Sequence, residues 1–583
     1  MRRILPLLAA TTALFSMTLA HAATIYPIDR ATILVSSPFD LKVEFDNVVA
    51  ESEIELTING RPAAEVLGQD PRFIEKEEGV EASAIRINGI RIDEPGTYTV
   101  VARAGDEAKS VTWEVYDTPD TPVARNVIFL IADGLSVAHR TAARIMSKGM
   151  TEGKANGRLN MDELDHMAFI GTSSTNSIAT DSANTMSAYM SGHKTAVNAL
   201  GVYADRTEDS LDDPRVETLA EALRRQTGKA IGVVSNSELQ DATPAAVFAH
   251  TRRRADKAEI NSQIFELRPE VILGGGSAYF LPQSTPGSKR KDDVDHVSLY
   301  REAGYALATS GTELATTTGS NSGLLLGLFH TGNMDTTLDR QFLKKGTVDK
   351  FPDQPGLVDM TRAALDVLSR NEEGFVLVVE AANVDKMSHP LDWERAVIDT
   401  IEFDHAVGVA REFAENNPDT LIIVTGDHTH GVSIIGTIDD EKEGDEMREK
   451  VGTYAAAGFP NYEDADGDGY PDRVDVSRRL FMAANNGPDH YETFRPKLDG
   501  PFVPAIRDEN GRYVANEAYK DEPGAVLVKG NIPTSGDTGV HAVDDVVLQA
   551  SGPGAERFKG YMEQSDVYRV IAEALALGVR HTN

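Results

Sequence analysis

The chain has 583 residues, no cysteine, and 91 acidic against 57 basic residues, a formal net charge of −34. A field of that sign argues against nucleic-acid and anionic-membrane partners, and it would repel a phosphate unless cations gather locally. The length allows more than one domain, and without disulfides an extracytoplasmic chain is held by core burial and bound ions, any zinc being limited to His, Asp and Glu ligands. Residues 1–22 carry Arg2 and Arg3, an apolar stretch to Leu19 and a small-residue ending, Ala20-His21-Ala22. This is the pattern of a cleavable secretory signal peptide, too short to be a stable membrane span. The mature chain is expected to begin near Ala23, in the periplasm or secreted, without a membrane anchor; loss of Arg2 and Arg3 leaves it at −36.

Residues 23–118 contain LKVEF, SEIELTING, AIRINGIRI, GTYTVVA and SVTWEVY, separated by Gly-, Pro- or Asp-rich breaks. Short alternating runs at that spacing predict a small antiparallel β-sandwich of immunoglobulin-like architecture, an accessory domain joined through the linker DTPDTP at 117–122. From 123 to 583 the texture changes. Amphipathic stretches at 216–225 and 357–370 precede apolar runs at 230–235 and 375–379, which predicts an α/β domain with a central, mostly parallel sheet sandwiched by helices.

The run VIFLIA at 127–132 stops on Asp133-Gly134 and reads as a buried parallel strand, whose carboxyl end is where such sheets place ligands. Three further runs end on polar groups: 230–235 before Glu238 and Asp241, 375–379 before Glu380, and 421–424 before Asp427-His428. If the four are neighbours, their carboxylates and imidazoles converge on one rim. Each signal alone also fits a plain turn, cap or surface histidine. Ser182 falls at or near a helix start, where free N–H groups can face a phosphate. Asp385 and His389, four apart, share a helical face, although Pro390 disfavours helical geometry at His389. His139, His166 and His193 fit no site, and Gly274-Gly275-Gly276 lacks the Lys-Ser/Thr ending of a phosphate loop.

Together, DGL at 133–135, TDSANTMSA at 180–188, ELQDATPAA at 238–246 with a following His and Arg, VEAANVDKMSH at 379–389, TGDHTHG at 425–431 and HAVDDV at 541–546 resemble, in their order, the metal-dependent alkaline phosphatases of bacteria and animals. The resemblance implies that Asp385, His389 and His541 hold one zinc, and that Asp133, Asp427 and His428 hold a second beside the nucleophile Ser182. Asp133, Thr243 and Glu380 would surround magnesium. It further implies a phosphoserine intermediate, with one zinc activating the Ser182 hydroxyl and the other stabilising the departing alkoxide, and net retention at phosphorus. Arg254, four residues after His250, would grip two phosphoryl oxygens, with Arg253 the other candidate. Asp241 and Lys386 match the bacterial pattern in place of the histidines of the animal enzymes, and His430 would hydrogen-bond to a carboxylate ligand. Small phosphomonoesters and inorganic phosphate are the implied partners; a homodimer is a common state of such enzymes.

Between His430 and His541 long insertions form a surface subdomain at about 436–530. Within it Asp464, Asp466, Asp468, the Tyr470 carbonyl, Asp472 and Asp475 fall at positions 1, 3, 5, 7, 9 and 12 of an EF-hand-like loop, with Gly469 at position 6, as a structural calcium site demands. Two other readings stay open at this stage. One is a phosphodiesterase sharing the two-zinc core; the other is a non-catalytic, calcium-dependent surface-binding protein.

Overall fold

The computed structural model describes residues 23–319, 322–442, 444–448, 451–454, 456 and 458–578, so the expected signal peptide lies outside the described residues. The chain is built on a ten-stranded sheet. Its strands are β1 Asn126–Ala132, β2 His166–Gly171, β3 Ala230–Glu238, β4 Val271–Gly275, β5 Ala306–Ala308, β6 Leu325–Leu328, β7 Phe375–Ala381, β8 Thr420–Thr425, β9 Val546–Ser551 and β10 Lys559–Glu563. They lie in the order β5-β6-β4-β3-β7-β1-β8-β9-β2-β10. Strand β9 runs antiparallel to both neighbours, and every other pairing in the sheet is parallel.

Strands covered on both faces must be apolar on both sides, and all seven residues of β1 are buried. Val127, Phe129 and Ile131 join one core with the helices Ser182–Ser191, Leu219–Gln226 and Gln564–Leu575. Ile128, Leu130 and Ala132 join another with Val137–Lys148, Leu357–Leu368 and Trp393–Asn416. The period-two alternation of the strand thus sorts consecutive residues to opposite helix layers.

The helix expected from 216 begins instead at Leu219. Thr218 caps it: its Oγ accepts from Glu221 N–H at 3.4 Å while Glu221 Oε2 accepts from Thr218 N–H at 2.8 Å, a reciprocal capping box. Val216, freed from the helix, forms an antiparallel bridge to Phe39. The helix expected to 370 ends at Leu368.

Residues 23–118 form two sheets around one core. Ala23–Tyr26, Phe39–Phe45, Ala84–Ile90 and Arg72–Ile74 make a four-stranded antiparallel sheet; Thr32–Leu34, Glu107–Tyr116, Gly96–Ala104, Ile54–Ile58 and Arg61–Pro62 make a five-stranded one. Trp113 is wholly buried between them, its Nε1–H donating to Pro27 O at 3.0 Å and Phe39 meeting its ring edge-on. The region is not purely antiparallel as expected, because Thr32–Leu34 pairs parallel with Glu107–Tyr116. Alternation specifies which face a residue occupies and says nothing of strand direction, so this pairing carries no sequence signal.

After His430 the chain leaves the sheet and forms two-stranded pairs: Val432–Asp439 with Arg478–Ala484, His490–Glu492 with Val526–Val528, and Ala505–Arg507 with Tyr513–Ala515. It returns at His541–Ala542, which pairs with Thr429–His430. That pairing brings His541 back to the carboxyl end of β8.

Candidate active site

The four strands singled out by their endings are adjacent, in the order β3-β7-β1-β8, all parallel. Ile131 is in register with Glu380 on one side and Thr425 on the other, and Ser235 with Glu380. Asp133, Glu380 and Asp427-His428 are therefore delivered to one rim. The turn after Asp133 requires glycine: Gly134 has φ +73°, and a Cβ there would lie 2.6 Å from the His430 ring. Its N–H donates to Asp427 Oδ1 at 2.9 Å, fixing that carboxylate.

Ser182 is the first residue of its helix, and Asp181 is the N-cap, accepting from Asn184 N–H at 3.2 Å. The Ser182 hydroxyl lies 3.3 Å from both Asp133 carboxylate oxygens and 3.4 Å from His428 Nε2. Opposite it, the helix Asn383–Ser388 carries Asp385, and His389 keeps helical φ and ψ of −56° and −51° despite Pro390, its N–H reaching Asp385 O at 3.0 Å. Asp385 and His389 do share one turn.

The imidazoles are oriented by main-chain carbonyls. His389 Nδ1 lies 2.7 Å from Gly539 O and His541 Nδ1 lies 2.7 Å from Thr180 O, so each Nδ1 carries the proton and each Nε2 presents a lone pair. Those two Nε2 atoms are 3.2 Å apart, and they stand 3.2 and 3.6 Å from Asp385 Oδ1. Two lone pairs and a carboxylate oxygen facing one another want a cation. On the other side His428 Nε2 is 3.1 Å from Asp133 Oδ1 and 3.5 Å from Asp427 Oδ2. The ligand atoms of Asp133, Asp427 and His428 lie within 4.8 Å of one another, as do those of Asp385, His428, His430 and His541. Asp427 Oδ2, His428 Nδ1 and Thr243 Oγ are buried without hydrogen-bond partners. The orphaned Asp427 Oδ2, facing His428 Nε2 beside Asp133, fits a bound divalent ion.

His430 lies in the same cluster, yet its Nε2 is 2.6 Å from Asp385 Oδ1. Burial lowers its pKa to about 4, so the ring is neutral and the single proton that makes this bond leaves no lone pair on Nε2 for a metal. Without ions the carboxylates strain against one another. Burial and then the Asp133 charge push Glu380 up to about 8 and Asp427 up to about 7. Burial disfavours a charged His428, but Asp427 and Asp133 outweigh it and raise the ring to about 10. Burial, then His428, drives His541 down to about 2.

Of the three consecutive arginines, Arg254 faces the site. Its Nη1 donates to Asp181 Oδ2 at 3.2 Å and its Nη2 to Asp241 Oδ1 at 2.9 Å. Arg253 is largely exposed and turns to Asp256, while Arg252 donates to Asp205 O. Lys386 Nζ donates to the other Asp241 oxygen at 2.9 Å. Burial alone would raise the Asp241 pKa, but Lys386, Arg254 and Lys257 hold it well below the usual carboxylate range.

Three of the residues expected around calcium come together: the carboxylates of Asp464, Asp466 and Asp468 lie within 4.8 Å of one another, and Gly469 has φ +86°. Asp472 accepts from Ala465 N–H at 3.2 Å across the loop. Asp475 is not in that group, its Oδ1 lying 3.8 Å from Arg479 Nη1.

The sequence did not single out the supports beneath the expected ligands. His139, read as unrelated to any site, is fully buried with Nε2 2.9 Å from Ser388 Oγ, under the helix that carries Asp385, and its Nδ1 accepts from Ser136 N–H. The Ser136 hydroxyl in turn donates to His430 O at 2.8 Å, and Ser235 Oγ bonds Glu380. Only the Ser-x-x-His spacing at a helix start hinted at the first of these.

Comparison with known proteins agrees with this geometry. The alkaline phosphatase family model matches residues 124–577. A tissue-nonspecific alkaline phosphatase of Gallus gallus is 29% identical over 492 residues, covering 78% of this chain and 85% of that one; the alkaline phosphatase of Escherichia coli K12 is 33% identical over 369 residues, covering 57% and 74%. Among solved structures, the alkaline phosphatase of Thermus thermophilus aligns with a TM-score of 0.55 at 23% identity over 80% of this chain and 94% of that one, and the enzyme of the Antarctic bacterium TAB5 with 0.53 at 22% over 78% and 99%. With that match over most of its length, the chain belongs to the alkaline phosphatase family and is a phosphatase.

Proposed function

We propose that this protein is an exported phosphomonoesterase that passes the phosphoryl group through Ser182. The ester O–P bond breaks as the Oγ–P bond forms; water then takes the phosphoryl group from Ser182 and restores the hydroxyl, the two inversions giving net retention. The observation that carries this reading is the Ser182 hydroxyl within 3.4 Å of both Asp133 and His428, with Arg254 anchored beside it on Asp181. Asp385, His389 and His541 would hold one zinc, Asp133, Asp427 and His428 a second, and Asp133, Thr243 and Glu380 a magnesium ion, while His430 steadies Asp385. Bound there, such ions supply Lewis-acid stabilisation of the attacking and leaving oxygens. Arg254 offers two N–H groups to two phosphoryl oxygens, and Asp181 and Asp241 hold that fork in plane. Lys386 adds a second positive charge on Asp241.

Paired cations suit a doubly charged monoester better than a diester, so monoester turnover should exceed that of a matched diester. Asp464, Asp466, Asp468, Tyr470 O and Asp472 would hold a structural calcium, and residues 23–118 would be an immunoglobulin-like sandwich packed on the catalytic chain. The deciding experiment is Ser182→Ala: trapping of radiolabelled phosphoenzyme should vanish and kcat should fall by about a thousandfold or more. Retained full turnover would end the assignment.

A further inference from the structure

Between the helix Ser182–Ser191 and the strand β3 the chain makes a detour, 198–217, whose start, Leu200, is buried in one of the sheet's cores while later residues turn away from it. Tyr203 and Val216 are buried in the core of the N-terminal β unit, alongside Trp113 and Phe39. Phe39 bridges Val216, Asp40 N–H donates to Arg215 O at 2.9 Å, Ser37 Oγ donates to Glu217 at 2.8 Å, and Tyr26 Oη donates to Ala204 O at 3.1 Å. The middle of the detour is locked by charge. Lys42, 1% exposed, donates to Asp205 at 2.5 Å and stands 2.6 Å from Glu77 and 3.1 Å from Glu44. Arg206 reaches back to Glu77 at 2.6 Å and to Ser83 O at 2.9 Å. A buried lysine among three carboxylates has no low-cost alternative arrangement, so the geometry of this junction is strongly specified.

The other face of the same detour supports the arginine of the active site. Leu200 and Thr251 exchange main-chain hydrogen bonds at 2.7 and 3.0 Å, Arg254 N–H donates to Asn198 O at 2.9 Å, and Asn198 N–H donates to Asp181 Oδ1 at 3.1 Å. Arg252 donates from its main chain to Ser210 O at 3.1 Å and from Nη1 to Asp205 O at 3.0 Å, the residue that Lys42 holds. One continuous set of contacts therefore runs from the N-terminal sheets through Asp205 and Arg252 to the main chain of Arg254.

We propose that the N-terminal β unit is an intramolecular brace for the phosphate clamp, with Lys42 and Arg252 as positioning residues for Arg254. This rests on the reading of Arg254 as the group that grips the phosphoryl oxygens. An accessory module tethered only by a linker would leave the catalytic chain outside its core; here a catalytic segment completes that core.

The test is Arg252→Gln in the metal-loaded, full-length enzyme, alone and combined with Arg254→Ala. Arg252→Gln should raise KM for a phosphomonoester and the inhibition constant of inorganic phosphate together by about tenfold, and in the Arg254→Ala background the same change should shrink to less than about twofold. Zinc content per chain should stay at the wild-type value. Equal effects in both backgrounds, or no effect on either constant, would overturn the brace. Unchanged constants in Arg254→Ala itself would instead remove the reading of the clamp. Lys42→Met should act in the same direction wherever the folded fraction allows measurement; where it does not fold, Arg252→Gln decides.

Discussion

Stripping the divalent ions should turn a protein stable at alkaline pH into one whose stability falls steadily as pH rises. In the metal-free chain Glu380 titrates at about 8 against an ordinary 4.5, and Asp427 at about 7 against 3.8. Between those limits the folded chain binds more protons than the unfolded one, so stability declines with pH: the contribution is full below about 4.5 and gone once pH has passed 8. Glu380 alone accounts for roughly 5 kcal/mol over that window, at about 1.4 kcal/mol per pH unit, and for most of about 4 kcal/mol between pH 5.5 and 8.5. Asp427 adds less than its own share, since both feel the same Asp133. His428, raised to about 10, loses its protonated form in the same direction above its ordinary 6.5. Ions on these carboxylates would keep them ionised without proton uptake, and the slope should vanish. Urea unfolding of chelator-treated and zinc- and magnesium-loaded protein at pH 5.5 and 8.5 measures this, with Trp393 reporting the catalytic unit and Trp113 the N-terminal one. A loss on the order of 4 kcal/mol is a large part of the 5–15 kcal/mol typical of a domain. Equal stability of the stripped protein at both pH values, or an equal slope with ions restored, would refute the convergence of these carboxylates on shared ions.

The remaining expectations concern single side chains. Arg254→Ala should weaken inhibition by inorganic phosphate about a hundredfold, whereas Arg253→Ala, which turns away to Asp256, should leave it within about twofold; equal effects would reassign the clamp. Replacing His430 with Ala removes the hydrogen bond to Asp385 and should lower zinc affinity by about ten- to a hundredfold, read by competition with a chelator. Calorimetry of the zinc- and magnesium-loaded enzyme with calcium should give one site that Asp464→Ala abolishes, with phosphatase turnover unchanged. Heat uptake that survives this substitution would place the ion elsewhere.

The sheet and its rim were legible because each depends on local pattern. The apolar runs of β1, β3, β7 and β8 announce buried strands, and a carboxylate just past each end needs only their adjacency to become a cluster. The pairing of a late segment with an early one was not legible. His541 reaches the site because residues 541–542 pair with 429–430 after an excursion of more than a hundred residues, and no periodicity encodes that return. Val216 shows the same limit at short range: amphipathic spacing extends the helix back to it, but the capping box at Thr218 stops the helix and tertiary contact with Phe39 claims the residue. His139 was unreadable for a different reason. A lone histidine on a helix says nothing until the helix carrying Ser388 is laid across it.

The charge of the chain also takes a different meaning once the site is assembled. A chain at −34 repels phosphate, and the carboxylates of Asp133, Asp385, Asp427 and Glu380 at the rim make the local field worse. Arg254 and Lys386 do not reverse it unaided, because Arg254 is already committed to Asp181 and Asp241 and Lys386 to Asp241. Above pH 8, where Glu380 and Asp427 are ionised, these six carboxylates outnumber Arg254, Lys386, Lys257 and a protonated His428 and leave the metal-free pocket negative. Only added divalent charge can invert that sign, so affinity for phosphate and occupancy of the ion sites must rise together. Equilibrium dialysis of stripped Ser182→Ala protein against labelled phosphate, with zinc and magnesium titrated back, reads this coupling without any turnover. Phosphate bound as tightly before the ions return as after would mean that the arginine and lysine suffice, and that the carboxylates serve some purpose other than gathering cations.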